Sequence, residues 1–229
     1  MFQQETYKDE LEHWLDAIRE TDALASLANF HYNYPQYSFP HVKNEGFILK
    51  GDDLGHPLIQ EENRVNNFVT MEGFGQLRLI TGANMAGKST YLRTVGVNLL
   101  LAMLGAPVCA QDFHFTPIEM YTSMRTKDSL EANESFFYAE LKRLKMLIDK
   151  LSKDEKIFII LDEILKGTNS ADQHTGSKAL IEQLIKLGGV GLIATHDLSL
   201  GKLAKDYPNY IQNQCFEIDR LTWSINRSI

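Results

Sequence analysis

From residue 82 to residue 89 the chain reads Gly82-Ala83-Asn84-Met85-Ala86-Gly87-Lys88-Ser89, directly after the strand-length run Gln76 to Thr81 and before a long apolar stretch from Lys88 to Leu104. The octet fits G-x-x-x-x-G-K-[ST], and it stands in the context that motif requires, strand before and helix after. Glycines let successive backbone N–H groups curl around a phosphate. The helix opening near Lys88 aims its positive dipole end at the same point. ATP with Mg²⁺ is the expected ligand pair, held by Gly82, Ala83, Asn84, Met85, Ala86, Gly87, Lys88 and Ser89. Lys88 is expected to reach the β- and γ-phosphates and Ser89 to offer its hydroxyl to Mg²⁺, with Thr90 a helix residue making a secondary phosphate contact.

A second signal is Ile157-Phe158-Ile159-Ile160-Leu161-Asp162-Glu163, five apolar residues ending in two carboxylates. Buried parallel strands read as unbroken apolar runs, and their carboxyl ends open into the ligand crevice. Asp162 is therefore placed toward the metal, while Glu163, projecting differently, is the candidate that orients and deprotonates a water. The run Val190 to Ala194 repeats the theme and ends in Thr195-His196-Asp197, so that His196 is positioned to sense a γ-phosphate. No such context surrounds His13, His31, His41, His114 or His174, which read as structural or exposed.

Lengths along the chain fit one α/β domain. Leu11, Trp14, Leu15 and Ile18 follow helical spacing, and the first thirty residues read as helix; Asn29 to Pro40, rich in Tyr, Asn and Pro, reads as a linker. Strand-length runs at Phe47 to Leu49, Asn67 to Thr70 and Gln76 to Thr81 predict a small antiparallel sheet at the start of a domain spanning 46–229, with 1–45 as helix and linker. Beyond it helix and strand lengths alternate: Lys88 to Leu104 helical, Val108 to Phe115 extended, Ser135 to Leu151 helical, Lys156 to Leu161 a strand, Ala171 to Leu187 helical, Val190 to Ala194 a strand. That alternation predicts a mostly parallel sheet flanked by helices. The segment Arg125 to Glu134 lacks apolar anchors and reads equally as a mobile loop or an ordinary solvated connection.

Composition narrows the partners. No apolar run is long enough for a membrane span, and the amino terminus is acidic and polar, which predicts a soluble, cytoplasmic protein. Cys109 and Cys215 lie far apart and form no Cys-x-x-Cys pair, so neither a disulfide framework nor a zinc site is suggested, and both read as buried small hydrophobes. With 23 basic against 30 acidic residues the formal charge is −7, opposite to what a free-standing DNA-binding domain needs.

Together, Thr81 to Arg93, Leu161-Asp162-Glu163 followed by Gly167-Thr168-Asn169-Ser170, and Ala194-Thr195-His196-Asp197 resemble the ATPase domain of the MutS family of DNA mismatch-repair proteins. That family carries T-G-P-N-M-G-G-K-S-T, D-E-I-G-R-G-T-S-T and A-T-H in the same order. The resemblance runs from about Gly46 to Ile218, and the opening helix looks like the end of the lever arm that precedes the domain. It implies the ABC-type P-loop NTPase fold and a motor that hydrolyses ATP through Lys88, Glu163 and His196. It also implies an ATP-dependent homodimer with composite sites, DNA held by domains outside this chain, and a chain that is either a piece of a longer protein or a divergent member. The signature segment would be Ser135 to Glu140, with Ser135 acting on the partner's γ-phosphate; a Ser before an apolar-periodic run with Glu nearby is equally the pattern of a helix N-cap. His56-Pro57-Leu58 matches the family's adenine-side H-P-V.

Four places depart from the family pattern. Ala83 and Ala86 replace proline and glycine, Leu165-Lys166 replaces a Gly-Arg pair, Glu134 stands at an arginine position, and the aromatic expected after His56-Pro57 is missing around Asn63-Arg64. Two other readings stay open: another ABC-type ATPase, transporter or chromosome-organising, which the missing L-S-G-G-Q signature disfavours, and a nucleotide-regulated interaction module with little turnover.

Overall fold

The computed structural model describes residues 2–124, 136–166, 168–218 and 225–228. Ser135, Gly167 and the segment 125–134 therefore lie outside the described residues. In chain order the elements are α1 (Phe2–Asn33), β1 (His41–Val42), β2 (Ile48–Leu54), β3 (Asn67–Glu72), β4 (Leu77–Gly82), α2 (Lys88–Met103), β5 (Asp112–Phe115), β6 (Glu119–Ser123), α3 (Phe136–Leu151), β7 (Ile157–Asp162), α4 (Ser170–Lys186), β8 (Val190–Thr195), α5 (Leu203–Asp206), β9 (Ile211–Ile218) and β10 (Ile225–Ser228). No helix among the described residues is long and apolar enough to cross a membrane.

The main sheet has the order β10-β9-β4-β8-β7-β6, with β9, β4, β8, β7 and β6 parallel and β10 antiparallel at the edge. Every residue of β4, β7 and β8 is buried, which explains why these strands read as unbroken apolar runs. Their side chains still alternate between two cores. Phe158 and Ile160 of β7, with Ile80, Leu192 and Ala194, pack toward α2 and the smaller sheet. Ile157, Ile159 and Leu161, with Leu77, Leu79 and Ile193, pack toward Leu144 and Leu147 of α3 and Ile181 and Leu184 of α4. Burial on both faces fixes the register, since a slip by one residue would exchange the two cores.

The smaller sheet corrects three sequence expectations. The run Gln76 to Thr81 belongs not to it but to the main sheet, as β4. The smaller sheet's order is β1-β5-β2-β3, and because β1 runs parallel to β5 it is mixed, not antiparallel. Of the stretch 108–115 only β5 is a strand, and it joins this small sheet, where Phe113 and Phe115 enter the core and Asp112 and His114 face outward. The linker reading of Asn29 to Pro40 also fails. Helix α1 continues to Asn33, Phe30, Tyr34 and Tyr37 form an aromatic cluster with ring centroids 5.0–5.9 Å apart, and Ser38 exchanges backbone hydrogen bonds with Val108. Aromatic packing supplies the anchoring that a Pro-rich composition conceals. Conversely, the helical stripe Leu11, Trp14, Leu15 and Ile18 of α1 is exposed.

A buried amide ties the two sheets' connections together. Asn98, fully buried in α2, donates from Nδ2 to the carbonyls of Gly55 and Thr94 and accepts the Cys109 N–H at Oδ1, 2.8–2.9 Å each. Its removal leaves a donor and an acceptor buried without partners. Asn98→Ala is therefore expected to lose about 2–4 kcal/mol of stability. Urea titration checks this through a lower midpoint at unchanged slope; a loss below about 0.5 kcal/mol would mean that water replaces the amide.

Candidate functional site

The carboxyl ends of β4, β7 and β8 lie side by side: Thr81 pairs with Thr195, Asp162 pairs with Ala194, and the Glu163 N–H donates to the Ala194 carbonyl at 2.9 Å. Three sequence signals far apart in the chain thus meet at one edge of the sheet. The loop after β4 leaves it at Gly82, whose φ is +145° and where a Cβ would stand 2.2 Å from the Phe216 carbonyl of β9. No side chain fits there. Gly87 caps α2 in the left-handed region at φ 86°, and Met85 also has a positive φ of 66° with its side chain almost fully exposed. Between them Ala83 and Asn84 are exposed, Ala86 is buried, and Ser89 and Thr90 follow in the first turn of α2.

Lys88 is buried, and its Nζ donates to the carbonyls of Gly82 at 2.8 Å and Ala83 at 2.7 Å, closing the loop on itself. Burial lowers its proton affinity, opposed by the negative charge of Asp162 and by Cys215. Asp162 is buried, and its Oδ1 has no hydrogen-bond partner. Such an orphan is costly unless something outside the chain completes it. The donor set here, one buried carboxylate oxygen together with the hydroxyl of Ser89, the residue after Lys88 in the first turn of α2, is hard oxygen chemistry and fits a small divalent ion such as Mg²⁺.

Glu163 takes a left-handed backbone, φ 55°, which costs about 1–3 kcal/mol for a residue other than glycine. Its carboxylate is largely enclosed and lies between Lys166 and His196: Oε2 is ion-paired with Lys166, and Oε1 is 3.5 Å from Nδ1 of His196. The turn continues through Leu165 at φ 58°, whose N–H donates to the buried Glu140 of α3 at 2.9 Å and whose side chain packs over Gly176. Leu165 and Lys166 are the pair that departs from the family pattern, and the structure shows what the departure does: a lysine sits on the carboxylate assigned to water activation.

His56 and Pro57 follow Gly55, whose carbonyl accepts from Asn98 of α2. Burial lowers the basicity of His56, with Arg93 adding to the effect, and its Nδ1 accepts the Leu58 N–H at 3.2 Å. Asn98, through Gly55, is what holds this turn against α2. Cys109 is buried as expected, whereas Cys215 is only half buried.

One functional neighbour was missed. His174 of α4 was read as unconnected, yet its Nδ1 lies 2.6 Å from Oδ2 of Asp197, the residue after His196. Asp197 also accepts from the Ser199 N–H at 2.9 Å and the Ser199 hydroxyl at 2.5 Å. These side chains, with Gln173, Thr195 and His196, line an open cleft of about 380 Å³ beside the Asp162 edge. The only signal in the sequence was Asp197 itself, an acid directly after the candidate histidine.

The fold and this site define an α/β protein in which a glycine loop, a buried lysine and two carboxylates share the carboxyl edge of a parallel sheet. Residues 78–226 match the family described as MutS domain V. The chain is 32% identical over 211 residues to the DNA mismatch repair protein MutS of Thermotoga maritima, covering 91% of this chain and 26% of that protein. It is 33% identical over 211 residues to the human MutS protein homolog 4, covering 90% of this chain and 22% of that one. The chain belongs to the MutS family, and it spans about a quarter of the length of the curated relatives it matches.

The Asp197 knot carries a pH signature. Burial raises its pKa, but hydrogen bonds from Ser199 and His174 and the His174 charge outweigh it, and the carboxyl is held below its usual value. A depressed folded value means stability that is present above the ordinary carboxylate range near about pH 4 and is lost as pH falls through the folded value. Asp197→Asn should therefore cost about 0.5–1.5 kcal/mol at pH 7, the partly exposed setting keeping it small. The difference from the parent should shrink toward zero below about pH 3. Denaturant melts at pH 7 and pH 3 check both halves; a pH-independent difference would exclude the ionised knot.

Proposed function

We propose that this chain is the ATP-binding and ATP-hydrolysing motor domain of a MutS-type DNA mismatch-repair or recombination protein, of the ABC-type P-loop class and acting in the cytoplasm. The observation that carries the reading is the pairing of a buried Lys88, folded onto the carbonyls of its own glycine loop, with a buried Asp162 whose Oδ1 lacks a partner. A phosphate group gives the ammonium a better acceptor than two carbonyls, and a divalent ion gives the carboxylate the ligand it lacks. Ser89 and Asp162 would hold Mg²⁺, which supplies charge neutralisation on the phosphates. Backbone N–H groups of 83–88 and Lys88 bind and orient the phosphates. Glu163 accepts a proton from water, and His196 adjoins Glu163 where it can report the γ-phosphate. On the family reading two copies pair when ATP is bound, Ser135 of each completing the other's site, and DNA is held by parts of the protein beyond this domain.

A second reading, a nucleotide-regulated interaction module with slow turnover, is favoured by the Lys166–Glu163 ion pair. A carboxylate held by a lysine is a weaker base, so hydrolysis requires Lys166 to leave. The two readings differ in measured turnover, not in binding.

Titrating a fluorescent ATP analogue tests the binding site directly. Lys88→Ala should weaken affinity by about 10–100-fold, the worth of about 1.5–3 kcal/mol for a charged hydrogen bond. Affinity within about twofold of the parent would overturn the phosphate-loop reading.

Turnover tests the carboxylates. Glu163→Gln should keep ATP affinity while hydrolysis falls by about 10²–10⁴-fold, since an amide positions water but takes no proton. Lys166→Gln should raise kcat in the parent background and leave Glu163→Gln unchanged. A kcat unaffected by Lys166→Gln would mean that ATP binding already displaces the lysine, and hydrolysis undiminished in Glu163→Gln would remove Glu163 from the chemistry.

A further inference from the structure

Far from the glycine loop, on the outward face of the small sheet, three side chains with metal-ligand chemistry share one spot. His41 of β1 and His114 of β5 are direct partners across a parallel pairing, and their imidazoles stack with centroids 4.7 Å apart. Asp112 precedes His114 by two residues, so strand alternation puts it on the same face, and Phe113 between them points into the core. Its carboxylate lies between the rings: Oδ2 is 2.9 Å from Nε2 of His114 and Oδ1 is 3.8 Å from Nε2 of His41. One ligand atom from each of the three lies within 4.8 Å of the others, the one such group among the described residues.

We propose that His41, Asp112 and His114 form a binding site for a first-row divalent transition metal ion, Zn²⁺ or a close analogue. The donor set decides the class. Two imidazole nitrogens with one carboxylate suit zinc, cobalt or nickel, whereas Mg²⁺ and Ca²⁺ take oxygen. Zinc bonds of about 2.0–2.1 Å place tetrahedral ligand atoms about 3.3 Å apart, so from ligand atoms now within 4.8 Å of one another the widest pair closes by up to about 1.5 Å and the 2.9 Å His114–Asp112 pair opens slightly, within reach of side-chain rotation. Three protein ligands leave a fourth position for water.

The surrounding charges permit a cation. The nearest elements contribute Lys50, opposite His114 on β2, and Asp52, opposite Asp112. Lys50 lies 3.4 Å from Asp52, so this pair cancels itself and Asp112 remains as the net negative charge. The role is structural: β1 is a two-residue strand with both residues exposed, and an ion bridging it to β5 pins the segment between α1 and β2 onto the sheet.

The test uses the untagged chain, freed of metal with a chelator and titrated with Zn²⁺ against a chromophoric chelator, nucleotide absent. One equivalent should bind at about micromolar affinity, and saturating Zn²⁺ should raise the melting temperature. His41→Gln and His114→Gln should each weaken binding by at least about tenfold and abolish the thermal shift, while excess Mg²⁺ should not compete. His41 is the most exposed of the three, so its variant keeps the fold and remains decisive if His114→Gln unfolds. Affinity weaker than about 100 μM in the parent would overturn the site, as would parent-like binding in folded His41→Gln, which would place the ion elsewhere.

Discussion

The site depends on one electrostatic arrangement, an ammonium buried at the end of a parallel sheet. Lys88 is drawn inward because it opens α2, the helix that packs Leu92, Val95 and Leu99 against β7 and β8, leaving its side chain no outward path. Burying an ammonium is expensive, and the lowered proton affinity records that cost. Two loop carbonyls and the charge of Asp162 offset it. The same contacts shape the loop: with Nζ on Gly82 and Ala83, the backbone between β4 and α2 is held curled before any anion arrives. An anion that takes the ammonium must first displace these two carbonyls, so the strength of those bonds is set against its binding.

The sheet supplies the rest by register. Pairing of Asp162 with Ala194 and of Thr81 with Thr195 sets three strand ends level, so the loop, the two carboxylates and His196 need no long connection to meet. Gly82 is fixed for a related reason: β9 passes so close that the Phe216 carbonyl occupies the space of a Cβ. Glycine at the first position of the loop is thus required by the neighbouring strand as well as by the turn. The glycine pattern of the octet and the packing of the edge are one constraint.

How far the sequence disclosed this follows from what each signal measures. The strand-loop-helix around Gly82 and the apolar runs ending at Asp162 and Thr195 were legible because full burial writes itself as unbroken hydrophobicity and the ends carry charge. The four helices longer than one turn were legible within a few residues at their ends. The short, exposed β1 and the edge strands β6 and β10 were not, since an edge or a two-residue strand leaves no period to read, and β9, an inner strand, hides behind its polar run Gln212-Asn213-Gln214. Composition misled at Tyr34 and Tyr37, where Pro and Asn suggested a linker and aromatic packing made an anchor. Pairs created by folding were invisible as well: His41 with His114, His174 with Asp197 and Asn98 with Gly55 join residues 23 to 73 positions apart.

The turn after β7 shows how a local departure can set a chemical one. A left-handed backbone costs a leucine about 1–2 kcal/mol more than a glycine, yet burying its side chain returns about 1.5–3 kcal/mol, so Leu165 can hold φ 58° without a net penalty. The contact with Gly176 of α4 and the N–H bond to Glu140 of α3 then clamp the turn between two helices. A glycine there would leave the turn free to hinge, whereas this leucine fixes the backbone that carries the next residue. Lys166 is delivered onto Glu163 by that geometry, so the ion pair belongs to the packed structure and not to a flexible side chain alone. Whatever displaces Lys166 must therefore work against α3 and α4 as well as against the charge.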